Sequence, residues 1–236
     1  MLQTGTRRQW YPGFRSVLAA SALLLMLGLP LPHVLAQSRA DLGFTTAVSG
    51  RLIEAYTRRF GQQARQQLED WKRYAAERKS GGGAEVELLT LVNARLNRIR
   101  FVDDAVHWGQ EDYWATPAES VASDGGDCED FSIAKYFLLK ELGVPVSRLR
   151  LVYVKAIRLN QAHMVLAYYA RPDAEPLVLD NLDERVRAAS QRTDLVPVYS
   201  FNDEEVWMES RGKVGSSRQL RNWSDLIVRL EREAGI

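Results

Sequence analysis

Apolar residues recur at a helical interval through the first half of the chain and at alternate positions beyond its middle. Leu52, Ile53, Tyr56 and Phe60 mark one helix face; Leu68, Trp71, Tyr74 and Ala75 mark a second, within a highly charged segment. Ser80-Gly81-Gly82-Gly83 interrupts the pattern and reads as a mobile loop. Val86, Leu89, Val92, Leu96 and Ile99 then predict a third helix. Phe101 to Ser123 carries no sustained period, is rich in Asp, Trp, Tyr and Pro, and reads as a long irregular segment of the kind that carries function.

The next helix is the best defined. Asp127 is placed to cap it, with Asp130 three positions on in the manner of a capping box. Phe131, Ala134, Phe137, Leu138 and Leu142 form its expected buried stripe, and Gly143 with Pro145 ends it. The period then drops to two. Leu149 to Ala156, Ala162 to Tyr169, Leu177 to Asp180 and Val196 to Phe201 read as strands. Asn222 to Glu233 reads as an amphipathic final helix, opened by Asn222 or Ser224. Helices followed by an antiparallel sheet make the expected class α+β.

Composition changes the picture at the N-terminus. Arg7, Arg8 and Arg15, the apolar run Val17 to Leu29, and Val34-Leu35-Ala36 have the form of a secretory signal peptide, with Gln37 as the mature start. The apolar run is 13 residues, short of the ~20 that a transmembrane helix needs, so an uncleaved anchor is the secondary reading. The expected organisation is residues 1–36 as signal segment and 37–236 as one exported domain. Without the three arginines of residues 1–36, 28 basic residues face 30 acidic ones, a balance of −2 that points away from nucleic acid.

Candidate chemistry centres on the one cysteine. Cys128 sits in Gly125-Gly126-Asp127-Cys128-Glu129-Asp130, at the first position of the predicted helix, where the backbone dipole favours thiolate. A lone Cys closes no internal disulfide, and three carboxylates make a poor apolar burial site. If the second and third strands form a hairpin around Arg171-Pro172-Asp173, facing residues sum to about 343 to 345. His163 and Asp180 then become cross-strand neighbours, a base and its orienting carboxylate. A turn centred on Asp173 would put Asp183 there instead. His33 leaves with the signal segment, and His107 lies in the irregular segment, where packing is its simpler role.

Asp112-Tyr113-Trp114-Ala115-Thr116-Pro117, the Gly-Gly-Asp-Cys-Glu-Asp block, Ala162-His163-Met164-Val165-Leu166 and Leu177-Val178-Leu179-Asp180-Asn181 together resemble the bacterial transglutaminase-like cysteine proteases of the LapG type, over about residues 85 to 210. The resemblance implies a papain/transglutaminase-like fold and a calcium-dependent periplasmic endopeptidase. Its substrate would be the N-terminal region of a large surface adhesin, cut at an Ala-Ala-type site. It also implies a LapD-like inner-membrane receptor, governed by cyclic-di-GMP, as the inhibiting partner. Carried over, Cys128 is nucleophile, His163 general base and acid, and Asp180 the orienting residue. Asp127, Glu129 and Asp130 become calcium ligands, and physical chemistry supplies a motive: carboxylates crowded around a thiol oppose its ionisation, and a hard cation would neutralise them. Capping and solvation of those acids is the plain alternative. Two other readings stay open: a transglutaminase, which passes the same thioester to an amine, and a non-catalytic exported binding module.

Overall fold

Ser49 opens the first helix of the described residues, α1 (Gly50–Phe60), its hydroxyl accepting the Leu52 N–H at 3.2 Å. The structure is a computed structural model that describes residues 48–81 and 83–236; the expected signal segment and the start at Gln37 lie outside the described residues. Helix α2 (Gln62–Gly81) follows at once and buries Leu68, Trp71 and Ala75 as its spacing predicts. The glycine run ends α2, and α3 (Glu85–Leu96) buries Leu88, Leu89, Val92, Asn93 and Leu96. Val86 lies on the opposite side, exposed, and Ile99 falls beyond the helix end.

The segment expected to be irregular contains order of its own. Strand β1 (Arg100–Phe101) leads into the single turn α4 (Asp104–His107) and then α5 (Pro117–Ser123). A complete capping box opens α5: Thr116 accepts from the Glu119 N–H, and Glu119 accepts from the Thr116 N–H, with Pro117 at the first position. Asp124, in the left-handed region, ends α5 and turns the chain into β2 (Gly125–Gly126), which pairs in parallel with β1.

Helix α6 (Cys128–Glu141) is the axle of the molecule. The expected single stripe understates it: every residue from Asp130 to Leu139 is buried. One side packs on β3 (Leu149–Ala156) and β4 (Gln161–Tyr168), the other on α2, α3 and α5. Strands β5 (Leu177–Leu179), β6 (Arg187–Ala188), β7 (Leu195–Phe201), β8 (Glu205–Met208) and β9 (Gly212–Ser216) complete an antiparallel sheet ordered β6-β5-β4-β3-β7-β8-β9. This is the expected mixture of helices and antiparallel sheet.

Helix α7 (Arg221–Ala234) closes the unit. Neither Asn222 nor Ser224 caps it; the N-cap is Leu220, without a side-chain bond, because Asn222 is engaged elsewhere, on Asp112. Trp223 of α7 stacks on Phe137 of α6 and meets Tyr136 and Phe201 edge-on, which seats α7 against the core. No described helix is long and apolar enough to cross a membrane.

Candidate active site

The approach to Cys128 is set by two glycines that tolerate no side chain. A Cβ on Gly125 would lie 2.6 Å from the His107 ring, and one on Gly126 would lie 2.6 Å from Asp130 Oδ2. His107 thus serves packing, its Nε2 bonded to Ser123 Oγ at 2.8 Å. With the backbone drawn this close, Cys128 takes the first position of α6. Ser132, one turn on, donates toward Cys128 O at 3.0 Å and Met164 O at 2.9 Å, locking the helix start to β4 beside His163.

The capping expected of the acids does not occur. The Asp127 side chain makes no cap bond, and Asp130 Oδ1 instead accepts the Ala115 N–H at 2.7 Å. Asp130 is therefore a cross-link between the start of α6 and the segment before α5. Its burial suits that role, since a carboxylate tied to backbone fixes two elements at once.

His163 and Asp180 meet. The β4–β5 register pairs Leu166 with Leu179 and Ala167 with Val178, at the upper end of the expected range. Continued by three residues, that register sets His163 and Asp180 as diagonal neighbours on one face, within reach of an imidazole. His163 Nε2 lies 2.8 Å from Asp180 Oδ1, with both side chains almost wholly buried. Burial alone would raise the Asp180 carboxyl. Hydrogen bonds from His163, the Leu182 N–H and Arg192 outweigh it and hold the group at about 2. Asp180 is thus an ionised acceptor, so Nε2 carries the proton and Nδ1 is left for the cleft. Asp183, the alternative carboxylate, is taken up by Arg185 and Arg187.

Cys128 and His163 line one cleft of about 800 Å³, together with Trp114, Tyr153, Met164 and Tyr199. Trp114 Nε1 donates to Asp112 Oδ1 at 3.0 Å, so that N–H is committed to the cleft wall. The Cys128 thiol donates to Glu129 Oε2 at 2.9 Å. Burial, then the charges of Glu129 and Asp127, push the thiol well above its ordinary value, and only a Met164 backbone bond opposes them.

Around it stands a cluster of acids larger than the sequence block. Asp104, Asp127 and Asp130 bring oxygens within 4.8 Å of one another, and so do Asp104, Asp112 and Glu129. Burial and mutual repulsion raise Asp127 to about 8 and Asp104 to about 6. Asp104 Oδ1, Asp127 Oδ1 and Asp130 Oδ2 are buried without a hydrogen-bond partner. Orphaned oxygens on clustered carboxylates are costly unless a cation takes them. An all-oxygen donor set of this density fits a hard divalent ion.

The matched model of the bacterial transglutaminase-like cysteine proteinases, BTLCP, spans residues 56–213. Among solved structures, LapG of Legionella pneumophila is 37% identical, covers 77% of this chain and 96% of its own, and superposes with a TM-score of 0.66. The chain belongs to the bacterial transglutaminase-like cysteine proteinases. The calcium-bound form of the same Legionella protein is 38% identical over 78% of this chain and 100% of that one, TM-score 0.66. Its EGTA-treated form is also 38% identical, over 77% and 96%, TM-score 0.67. No curated protein matches the chain.

Within this LapG-like architecture, Cys128, His163, Asp180, Asp127, Glu129 and Asp130 all fall at one end of α6 and the adjoining strand ends. Asp104 and Asp112 are the members of the acid cluster that sequence reasoning missed, although the acid-rich run from Phe101 to Ser123 was the signal. Arg192, on Asp180, carried no signal in the sequence at all.

Proposed function

We propose that this chain is a calcium-dependent cysteine endopeptidase of the periplasm. It cuts the N-terminal region of a large surface adhesin at an Ala-Ala-type site. The observation that carries the reading is the His163–Asp180 pair and Cys128 on one cleft, beside carboxylates whose buried oxygens lack partners. Cys128 is the nucleophile. His163 Nδ1 takes the thiol proton, the sulfur attacks the peptide carbonyl, and the same proton passes to the leaving amine. Water then adds to the thioester with His163 as base, freeing the acyl chain and restoring the thiol. Asp180 holds the imidazole in one tautomer throughout. The Cys128 backbone N–H, one of the unsatisfied donors at the helix start, is placed to receive the oxyanion.

Asp127, Glu129 and Asp130, with Asp104 and Asp112, are the residues to hold calcium. Bound there, the ion supplies the positive charge that permits thiolate beside Glu129. The calcium-bound form of the Legionella relative supports calcium as the ion. The LapG-type resemblance supports the adhesin as substrate, biofilm release as the outcome, and a LapD-like cyclic-di-GMP receptor as the inhibitor. The signal-like residues 1–36 support export to the periplasm.

The test is incubation of the protein with an N-terminal adhesin fragment in calcium, in a chelator, and with Cys128→Ala. Cleavage that needs both calcium and Cys128 is expected. An intact fragment accompanied by amine incorporation into a glutamine substrate would overturn hydrolysis in favour of acyl transfer.

A further inference from the structure

At one end of the cleft, past Leu159 and Leu182, lies a second recess of about 410 Å³. The two leucines line both spaces, each about half exposed (50% and 51%), so a bound polypeptide crossing them passes from one into the other. The character of the wall changes across that rim. On the catalytic side it bears Asp103, Glu111, Asp112, Asp127 and Glu129; beyond the rim it bears Arg158, Arg185, Arg187 and Arg192.

The arginines are not all neutralised. Arg192 is forked between Asp180 and Asp194 and belongs to the positioning of His163. Asp183 pairs with both Arg185 and Arg187, one carboxylate for two guanidinium groups. Arg158, exposed on the β3–β4 turn, helps to hold the Asp194 carboxyl down but forms no ion pair within 4 Å among the described residues. Its turn is a built one, with Asn160 in the left-handed region and the Ile157 N–H bonded to Asp194 O at 2.8 Å. Four guanidinium groups thus face Asp180, Asp183 and Asp194, which leaves a surplus of one cation, with Arg158 unpaired among the described residues, on planar forks that suit a carboxylate.

We propose that this arginine-lined recess is a specificity subsite that takes an acidic side chain of the polypeptide substrate. It rests on the protease reading and adds to it a polarity. Asp103 and Glu111, the wall acids outside the proposed calcium ligands, repel such a residue while the arginine end accepts it, so the substrate enters in one direction.

The test is a map of every cut made by the calcium-supplemented protein in a proteome-derived peptide library, with Cys128→Ala as the blank. Asp or Glu is expected to be enriched about tenfold at one fixed position near the cut, the scale of a charge-assisted hydrogen bond. Arg158→Glu with Arg185→Glu should replace that preference by Lys or Arg at the same position. Arg158→Gln with Arg185→Gln should simply erase it. Because preference is read among the peptides that are cut, reduced folding of a variant cannot imitate the exchange. Cys128-dependent cuts with no acidic enrichment, or an enrichment that survives both variants, would overturn the subsite alone. An absence of Cys128-dependent cuts would overturn the protease reading, and the subsite with it.

Discussion

Arg192 Nη2 donates to Asp180 Oδ2 at 2.7 Å, on the oxygen that His163 leaves free. The carboxylate is clamped from both sides, so its position and the imidazole's are set by a residue outside the proposed triad. Removing the guanidinium by Arg192→Met strands a buried carboxylate. Folding stability should fall by about 3–5 kcal/mol, read by thermal unfolding. Turnover should drop at least tenfold with KM little changed, since only the catalytic geometry is lost. Arg192→Lys keeps the charge but not the fork, and should recover stability better than turnover.

Calcium should act on the fold as well as on activity. Asp104 Oδ1, Asp127 Oδ1 and Asp130 Oδ2 lack partners, and an ion that takes them stabilises the native state by mass action. At a hundredfold excess over Kd the gain is about 2.7 kcal/mol, or a rise in Tm of roughly 5–10 °C for a domain of this size. EGTA should reverse the rise. Asp104→Asn and Asp127→Asn should each weaken calcium binding in calorimetry, although only Asp127 belongs to the cysteine block.

Gly126→Ala should be disabling out of proportion to its size. The added methyl meets Asp130 Oδ2 at 2.6 Å and Asp130 Cβ at 2.7 Å, and Asp130 is held in turn by the Ala115 N–H. Overpacking of this kind costs about 1–3 kcal/mol. Thermal melts should show that loss together with weaker calcium binding, whereas Gly81→Ala, with open space around it, should be neutral.

Glu233 should make stability fall as pH rises toward neutrality. Burial pushes its carboxyl from 4.5 up to about 7, with Glu119 adding to the effect and Tyr56, Thr116 and Arg229 opposing it. The native state therefore binds more protons than the unfolded chain between those values. The native form is favoured at pH 4.5 and progressively less so up to 7, by about 3 kcal/mol in all. Glu233→Gln should flatten that slope in denaturant titrations carried out at several pH values.

Much of the architecture was legible because period and punctuation agree. Strand β3 spans the residues that alternation picked out, and β4, β5 and β7 lie within a residue of their expected bounds. Strand pairing rules brought His163 to Asp180 to within two positions of register. What escaped has physical reasons. The strands β6, β8 and β9 are two to five residues long, too short to establish a period. Helix α5 was overlooked although Thr116-Pro117-Ala118-Glu119 spells a capping box; its seven residues are held by caps rather than by an amphipathic stripe. Asp130 was read as a local cap because sequence spacing shows only local partners, and its true partner lies fifteen residues back at Ala115. Arg192 acts across the fold, and nothing near it in the chain announces Asp180.

Helix α7 bears on the shape of the cleft. Its Asn222 steadies Asp112 at 2.7 Å, and its Arg229 donates to Trp114 O, so two cleft residues are braced by the last fifteen or so positions of the chain. Tyr56 and Thr116 both reach Glu233 in the same helix, which joins α1 to α7. The shape of the cleft wall thus depends on a helix that contributes none of the residues proposed for the chemistry, so a loosened α7 would blunt the site while leaving the thiol and the imidazole in place.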